Sequence, residues 1–399
     1  MNILFRKIRK KPISFLLGQA SMILGILSCL IIFSFVLFHL SFDTFYPQVD
    51  KIYRINRKGN DSNIRALTEG TLKSVIQANF TSSKVTHFMQ TPVDLTFNFN
   101  DHQITESEGL LVDRDFFTIF NDKLILGKTA SALSHPNSVV LTKSVAEKLF
   151  KNVDTALNKI VKIKFGPRDL ALTVTGVIRD NPTNSGLRYT YLLTGSSLPF
   201  WRDENPQTVL NTFIKVNQPG EATSVANFLN VSSTENTTYK LQPISDIHFA
   251  DGIEFDIFEK FDQKYLKILI SIGVLILVVT VFNFLNLFYT QTLSRVREIA
   301  VRKVMGTTKS TVFNLIFSEL FFSIILSVAL SFTLLLAINQ RISVWTGFLP
   351  LEFLSVDFLI VFLLGISFIS IVFAFLVTSQ IIGFDIKSPK VIENSVITS

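Results

Sequence analysis

Four stretches of this chain contain no Asp, Glu, Lys or Arg: residues 12–42, 268–294, 320–340 and 358–384, of 31, 27, 21 and 27 residues. About 20 apolar residues carry an α-helix across a hydrocarbon layer of ~30 Å, where the backbone must satisfy its own hydrogen bonds. Each stretch is therefore read as a membrane-spanning helix, one early and three late. Composition agrees. Of 399 residues, 48% are hydrophobic and only 17% charged, with 39 Phe; soluble domains carry about a quarter charged residues. Arg6, Lys7, Arg9, Lys10 and Lys11 precede the first run, which is about twice the apolar length of a secretion signal. With no small-x-small cleavage site after it, the run is read as a retained anchor.

Charge sets the expected orientation. The loop 291–311 carries Arg295, Arg297, Arg302, Lys303 and Lys309 against Glu298, whereas 339–357 carries Arg341 against Glu352 and Asp357. Short basic loops stay in the cytoplasm. The expected layout is a basic cytoplasmic segment 1–13, spans at 14–40, 264–290, 311–338 and 357–383, and a cytoplasmic tail 384–399. A cytoplasmic loop or helix fills 291–310, and an extracytoplasmic loop fills 339–356. The net charge of +7 is then a topology signal and not a nucleic-acid footprint. Cys29 is the single cysteine, so no intramolecular disulfide forms.

Residues 41–263, with 23 basic and 25 acidic side chains, are read as a large inserted α+β extracytoplasmic domain. Period-two alternation at Val93, Leu95, Phe97 and Phe99, and at Leu170, Leu172, Val174, Gly176 and Ile178, predicts half-buried strands. Helical spacing appears at Leu72, Val75, Ile76 and Phe80, at Val145, Leu149 and Phe150, and at Val225, Phe228 and Leu229. Strand order is not readable.

A search for chemistry in this domain finds little. Gly127-Lys128-Thr129 resembles the end of a phosphate loop, but position 122 is Asp where that loop needs Gly. His39, His87, His102, His135 and His248 show no metal spacing, so neither a metal nor a catalytic residue is predicted. The pairs Asp113/Asp115 and Glu106/Glu108 would share a strand face, which in a soluble domain is more often solvated than catalytic. Sequons at Asn60, Asn79, Asn230 and Asn236 decide nothing.

The spans carry four further signals. Ser21, Gly25 and Cys29 recur every four residues, a small-residue face for close helix approach, either within the chain or at a dimer seam. Asn283 and Asn286 lie three apart and are expected to hydrogen-bond to other helices. Glu319 sits about ten residues, roughly 15 Å, into the third helix, so it should face the protein interior or be protonated. In the loop, Glu298 and Arg302 are spaced for a helical ion pair, and Gly306 is placed to close that helix. A basic amphipathic helix here could lie on the inner leaflet or dock a cytoplasmic partner.

The run Arg295-Val-Arg-Glu-Ile-Ala-Val-Arg-Lys-Val-Met-Gly306 resembles the REIGxRKxxGA signature of the FtsX/MacB-type permeases of ABC transporters, in their half-length Bacteroidetes-like branch. Leu40-Ser-Phe-Asp-Thr-Phe45, Pro136-Asn-Ser-Val-Val-Leu-Thr-Lys143, Val174-Thr-Gly-Val-Ile178 and Ile247-His-Phe249 follow in the family's order. Ala300 replaces a usual Gly, and Thr307-Thr308 replaces Ala-Ser or Ala-Thr. The resemblance implies a permease of the cell inner membrane with no ATPase of its own. ATP and Mg would be bound by a separate cytoplasmic ATPase subunit, and a second permease copy or similar permease would complete a dimer within membrane lipid. Contact with the ATPase would fall on Arg295, Arg297, Glu298, Arg302, Lys303 and Gly306. The work delivered would be export or mechanotransmission through the extracytoplasmic domain. From residues alone, a membrane-anchored sensor or assembly factor without ATP coupling, or an outside-facing hydrolase, stays open.

Overall fold

The structure is a computed structural model. It describes residues 12–383 except 60, 101, 121–123, 166–167, 199–200, 202–204, 206, 234–236, 297, 300 and 302–304. The chain divides into two units: Ser41–Gln263, and the residues on either side of it, up to Leu40 and from Lys264.

The flanking unit contains four helices long and apolar enough to cross a membrane. They are Pro12–Leu40, Gln263–Leu293, Lys309–Thr346 and Val356–Gly383, here the first to fourth spans. The third is longer than its uncharged run. It continues past Arg341 to Thr346, where Gly347 closes it with φ +76°, because a cation near a helix end reaches the headgroups. The short helix Pro350–Phe353 then leads into the fourth span. Met22, Ile26, Phe284, Phe288, Ile316 and Leu320 share the interior of this unit.

In the 41–263 unit the alternating segments form strands. One is Leu95–Phe99, which leaves Val93 outside it and exposed; another is Arg168–Ile178, pairing back on Ile160–Phe165. The strands described join one mixed sheet. Arg168–Ile178 runs parallel to Ser138–Thr142. Tyr191–Thr194 lies between Ser138–Thr142, antiparallel, and Gly109–Val112, parallel. Such strands are buried on both faces and read as continuous apolar runs. Accordingly, Leu110 and Val112 enter a core with Phe88, Phe116 and Phe213. Leu111 points the other way, into a core with Val145, Leu149 and Trp201. The helix Leu72–Asn79 buries Leu72 and Ile76 in a third cluster with Val225 and Leu229 of the helix Pro219–Ser232.

Candidate functional site

Past Leu293 the chain turns at Ser294 and Arg295, and residues 296, 298, 299 and 301 are helical. The Ile299 N–H donates to the Arg295 carbonyl at 3.1 Å and the Met305 N–H to the Val301 carbonyl at 3.1 Å. Gly306 then adopts φ +93° with open space where a Cβ would stand, so glycine is required there for conformation alone. Thr308 starts the third span, its hydroxyl accepting the Thr311 N–H at 3.3 Å. Of the six residues predicted for partner contact, Arg295, Glu298 and Gly306 fall within this turn–helix–turn. Arg297, Arg302 and Lys303 lie outside the described residues, as do Ala300 and Val304.

The loop helix is fastened to the bundle. Ile299 is buried and Val296 half-buried against the cluster that contains Ile316 and Leu320, so these two apolar residues of the loop helix face protein. Arg295 Nη1 donates to both carboxylate oxygens of Glu319, at 3.0 and 3.1 Å, and the Glu319 side chain is 5% exposed. The acid inside the third helix is thus partnered by a cation from the loop. Val301 and Met305, one turn apart, are 60% and 82% exposed.

The small-residue face of the first span packs within the chain. Ser21 Oγ accepts from Asn283 Nδ2 at 2.8 Å, and the Cys29 thiol lies 3.5 Å from the Gly273 carbonyl. A Cβ added at Gly25 would stand 2.1 Å from Thr280 Oγ1, so the two helices touch backbone to side chain. Asn286, expected to bond to a neighbouring helix, is instead exposed; a bond of its backbone carbonyl, to Thr290, is the one described. Sequence reasoning missed the first-to-third contact. Ser327 Oγ donates to Gln19 Oε1 at 2.7 Å and Ser331 Oγ to the Ile23 carbonyl at 2.8 Å. Its signal was present: Ser323, Ser327 and Ser331 repeat every four residues after Glu319.

In the 41–263 unit, segments far apart in sequence meet. The Phe42 ring stacks on His248 with centroids 3.6 Å apart, and Asp43 Oδ1 accepts the Gly186 N–H at 2.9 Å. Burial pushes the Asp43 carboxyl up to about 7 and the His248 imidazole down to about 4, since low dielectric disfavours either charge. The pair Asp113/Asp115 converges on Lys73, whose Nζ lies 2.7 and 2.6 Å from the two carboxylates. Asp113 also accepts from Thr86 Oγ1 and from the backbone N–H groups of His87 and Asp115. Burial by itself would lower Lys73, but the two acids hold it above its ordinary value. Glu106 pairs with Lys148 at 2.9 Å, while Glu108 is exposed.

Two family models match the chain: a MacB-like periplasmic core domain over residues 19–229 and an FtsX-like permease C-terminal region over residues 270–384. A comparison with curated proteins finds no match. Among solved structures, the chain is similar to a domain assigned to a permease protein from Porphyromonas gingivalis. Identity is 20% and TM-score 0.42, over 50% of this chain and 92% of that one. The extracellular domain of the noncanonic ABC-type transporter YknZ from Gram-positive bacteria matches at 15% identity and TM-score 0.36, covering 47% and 99%. The periplasmic region of MacB from Actinobacillus actinomycetemcomitans matches at 15% identity and TM-score 0.37, covering 49% and 90%.

Proposed function

We propose a function that proceeds from one premise: the chain belongs to the ABC-transporter-type permeases that join a MacB-like periplasmic core domain to an FtsX-like C-terminal region. It is an inner-membrane protein whose large domain is extracytoplasmic. In the proposed arrangement both termini and the 291–310 loop are cytoplasmic, and two permease copies, or this chain and a similar one, work as a dimer. A separate ATPase subunit binds ATP and Mg, hydrolyses the nucleotide and pushes on the loop. This chain performs no covalent step. It carries the displacement to the 41–263 domain, for export or for switching an extracytoplasmic partner.

The observation that carries this reading is the Arg295–Glu319 pair together with buried Ile299. A loop helix held by an ion pair and an apolar anchor moves the third span when it is moved, and Gln19–Ser327 links that span to the first. Val301 and Met305 supply an exposed apolar face for the ATPase to grip.

The test is co-expression with a candidate cytoplasmic ABC ATPase subunit and purification in nanodiscs. Glu298→Ala and Arg302→Ala are expected to abolish the stimulation of ATP hydrolysis while leaving the unfolding temperature within a few degrees. Undiminished stimulation in both variants, or no ATPase co-purifying with the wild type, would transfer the chain to the sensor or assembly-factor reading.

A further inference from the structure

The second span packs on its own unit through one line of residues, among them Leu266, Gly273 and Thr280, all buried. Two positions further on is about 200° around a helix, so the face opposite that line carries Ile268, Leu275 and Phe282. With Ile272 and Val279 these are each at least 43% exposed, and Asn286 is exposed with them. Steps of four, three, four, three and four connect the six. They form one heptad seam, with Ile272, Val279 and Asn286 at a positions and Ile268, Leu275 and Phe282 at d.

Apolar exposure alone selects nothing in a membrane helix, since lipid tails are as apolar as leucine. Asn286 is the residue that breaks the face. It lies eight residues before the end of its uncharged run at Ser294. That is roughly 12 Å at 1.5 Å per residue, well into a hydrocarbon layer whose half-thickness is about 15 Å. Other carboxamides of the spans have partners: Gln19 accepts from Ser327, Asn283 donates to Ser21, Asn339 accepts the Leu351 N–H and Gln380 accepts from Tyr289. Gln291 and Gln340 stand within three residues of the ends of their runs, close to headgroups and water. Among the described residues no group bonds to the Asn286 side chain, which at this depth needs both a donor and an acceptor.

We infer that the second spans of two copies of this chain pack in parallel along this seam, their Asn286 carboxamides bonded to each other across a two-fold axis. A carboxamide donates and accepts at once, so its own image satisfies it, and a two-fold contact sets a residue against the same residue. Copies inserted in one orientation run parallel. In parallel coiled coils β-branched residues at a favour two strands, and a single Asn at a fixes register and strand number. A dissimilar membrane protein would need a polar group at the matching depth, which a second copy brings by symmetry. The inference rests on the dimer of the reading above, makes its second member this chain itself, and needs no nucleotide.

Cys29 is the single cysteine, so Cys29→Ser gives a full chain in which one placed thiol reports contact. Ile272→Cys and Val279→Cys test the seam; Val274→Cys, 47% exposed but off it, is the control. After oxidation in phosphatidylcholine vesicles, without ATPase or ATP, disulfide-linked dimers of twice the chain's mass are expected at 272 and 279, several-fold above 274. Energy transfer between donor- and acceptor-labelled copies measures pairing as the protein is diluted in lipid. Asn286→Leu should weaken it about threefold or more, as the loss of interhelical bonds in membranes does, and Asn286→Gln, which keeps the amide, should weaken it less. The unfolding temperature of the monomer should not move. Equal cross-linking at the three positions, monomer alone, or pairing undiminished by Asn286→Leu would each overturn the seam. Seam cross-links in a chain that stimulates no ATPase would uphold the seam and remove ATP coupling only; stimulation without those cross-links would remove the seam only.

Discussion

Arg295 and Glu319, 24 positions apart, form one ion pair in which a single guanidinium nitrogen lies 3.0 and 3.1 Å from the two carboxylate oxygens. The carboxylate is buried and the guanidinium 26% exposed, so removing one partner costs less than the ~3–5 kcal/mol of a fully buried pair, in which the other charge is left uncompensated, whereas apolar replacement of both is often neutral. Glu319→Gln and Arg295→Met are therefore expected each to lower the unfolding temperature in nanodiscs. The double variant Arg295→Met with Glu319→Leu should recover most of the loss. A double variant that unfolds as early as the sum of the singles would show that the two groups do not interact.

The Gly25–Thr280 contact predicts a steric cycle. An alanine at Gly25 places a carbon 2.1 Å from Thr280 Oγ1, and overpacking of this kind costs about 1–3 kcal/mol. Gly25→Ala should destabilise the protein, and Thr280→Ala in the same chain should restore part of the loss by removing the nearest atoms. Equal destabilisation with and without Thr280→Ala would refute the contact.

The two asparagines of the second span should behave differently. Asn283→Leu removes a bond to Ser21, and such bonds in membranes are worth about 0.6 kcal/mol. Asn286, exposed on the same helix, should tolerate leucine with no loss of unfolding temperature in the monomeric, detergent-solubilised chain. A larger loss at Asn286 than at Asn283 would contradict the structure.

Asp43 gives the domain a pH dependence of defined sign. Burial holds its carboxyl up to about 7, against the opposing pull of the Gly186 N–H and the Lys260 charge, while in the unfolded chain it titrates near its ordinary value, about 4. The folded state therefore keeps a proton that the unfolded state releases. The stability this contributes is fully present below about pH 4 and is lost as the pH rises through about 7, with an upper bound of about 4 kcal/mol at 1.36 kcal/mol per unit. His87, pushed down to about 3, and His248, down to about 4, work in the other direction: each opposes folding as acid charges the unfolded imidazoles. Comparing Asp43→Asn with the wild type isolates the carboxyl. The variant is expected to have the higher unfolding temperature at pH 8, with the difference shrinking toward pH 4. A difference independent of pH would remove Asp43 from the account.

Much of the membrane unit was legible because one physical rule dominates it: each spanning helix holds a run of at least 21 residues without Asp, Glu, Lys or Arg, and Glu319, just before the third run, stands out against it. The same economy of signals placed Gly306 at the end of the loop helix, since a left-handed backbone needs glycine. Alternation marked Arg168–Ile178 and Leu95–Phe99. What sequence could not supply was partnership across distance. Nothing near Glu319 names Arg295, and nothing near Asp43 names Gly186. Sheet order was hidden because parallel neighbours such as Ser138–Thr142 and Arg168–Ile178 are joined by long crossovers, and because strands buried on both faces lose the alternation that tells one face from the other. Asp113 and Asp115, spaced for a shared face, converge on one lysine that lies 40 positions before Asp113.

The chain enters the extracytoplasmic domain through the strand Ile52–Lys58 and approaches its exit through Thr238–Pro243, and these two strands pair antiparallel with Tyr53 opposite Pro243. The incoming and outgoing tethers are thereby joined at one end of a single ladder. Outside that ladder the two ends are fastened again, with Phe42 stacked on His248 at 3.6 Å and Asp43 accepting the Gly186 N–H at 2.9 Å, so a pull that draws the tethers apart loads these contacts before the rung at Tyr53. Splaying at the root of the domain is therefore resisted first by a ring stack and a buried carboxyl, and only afterwards by the sheet.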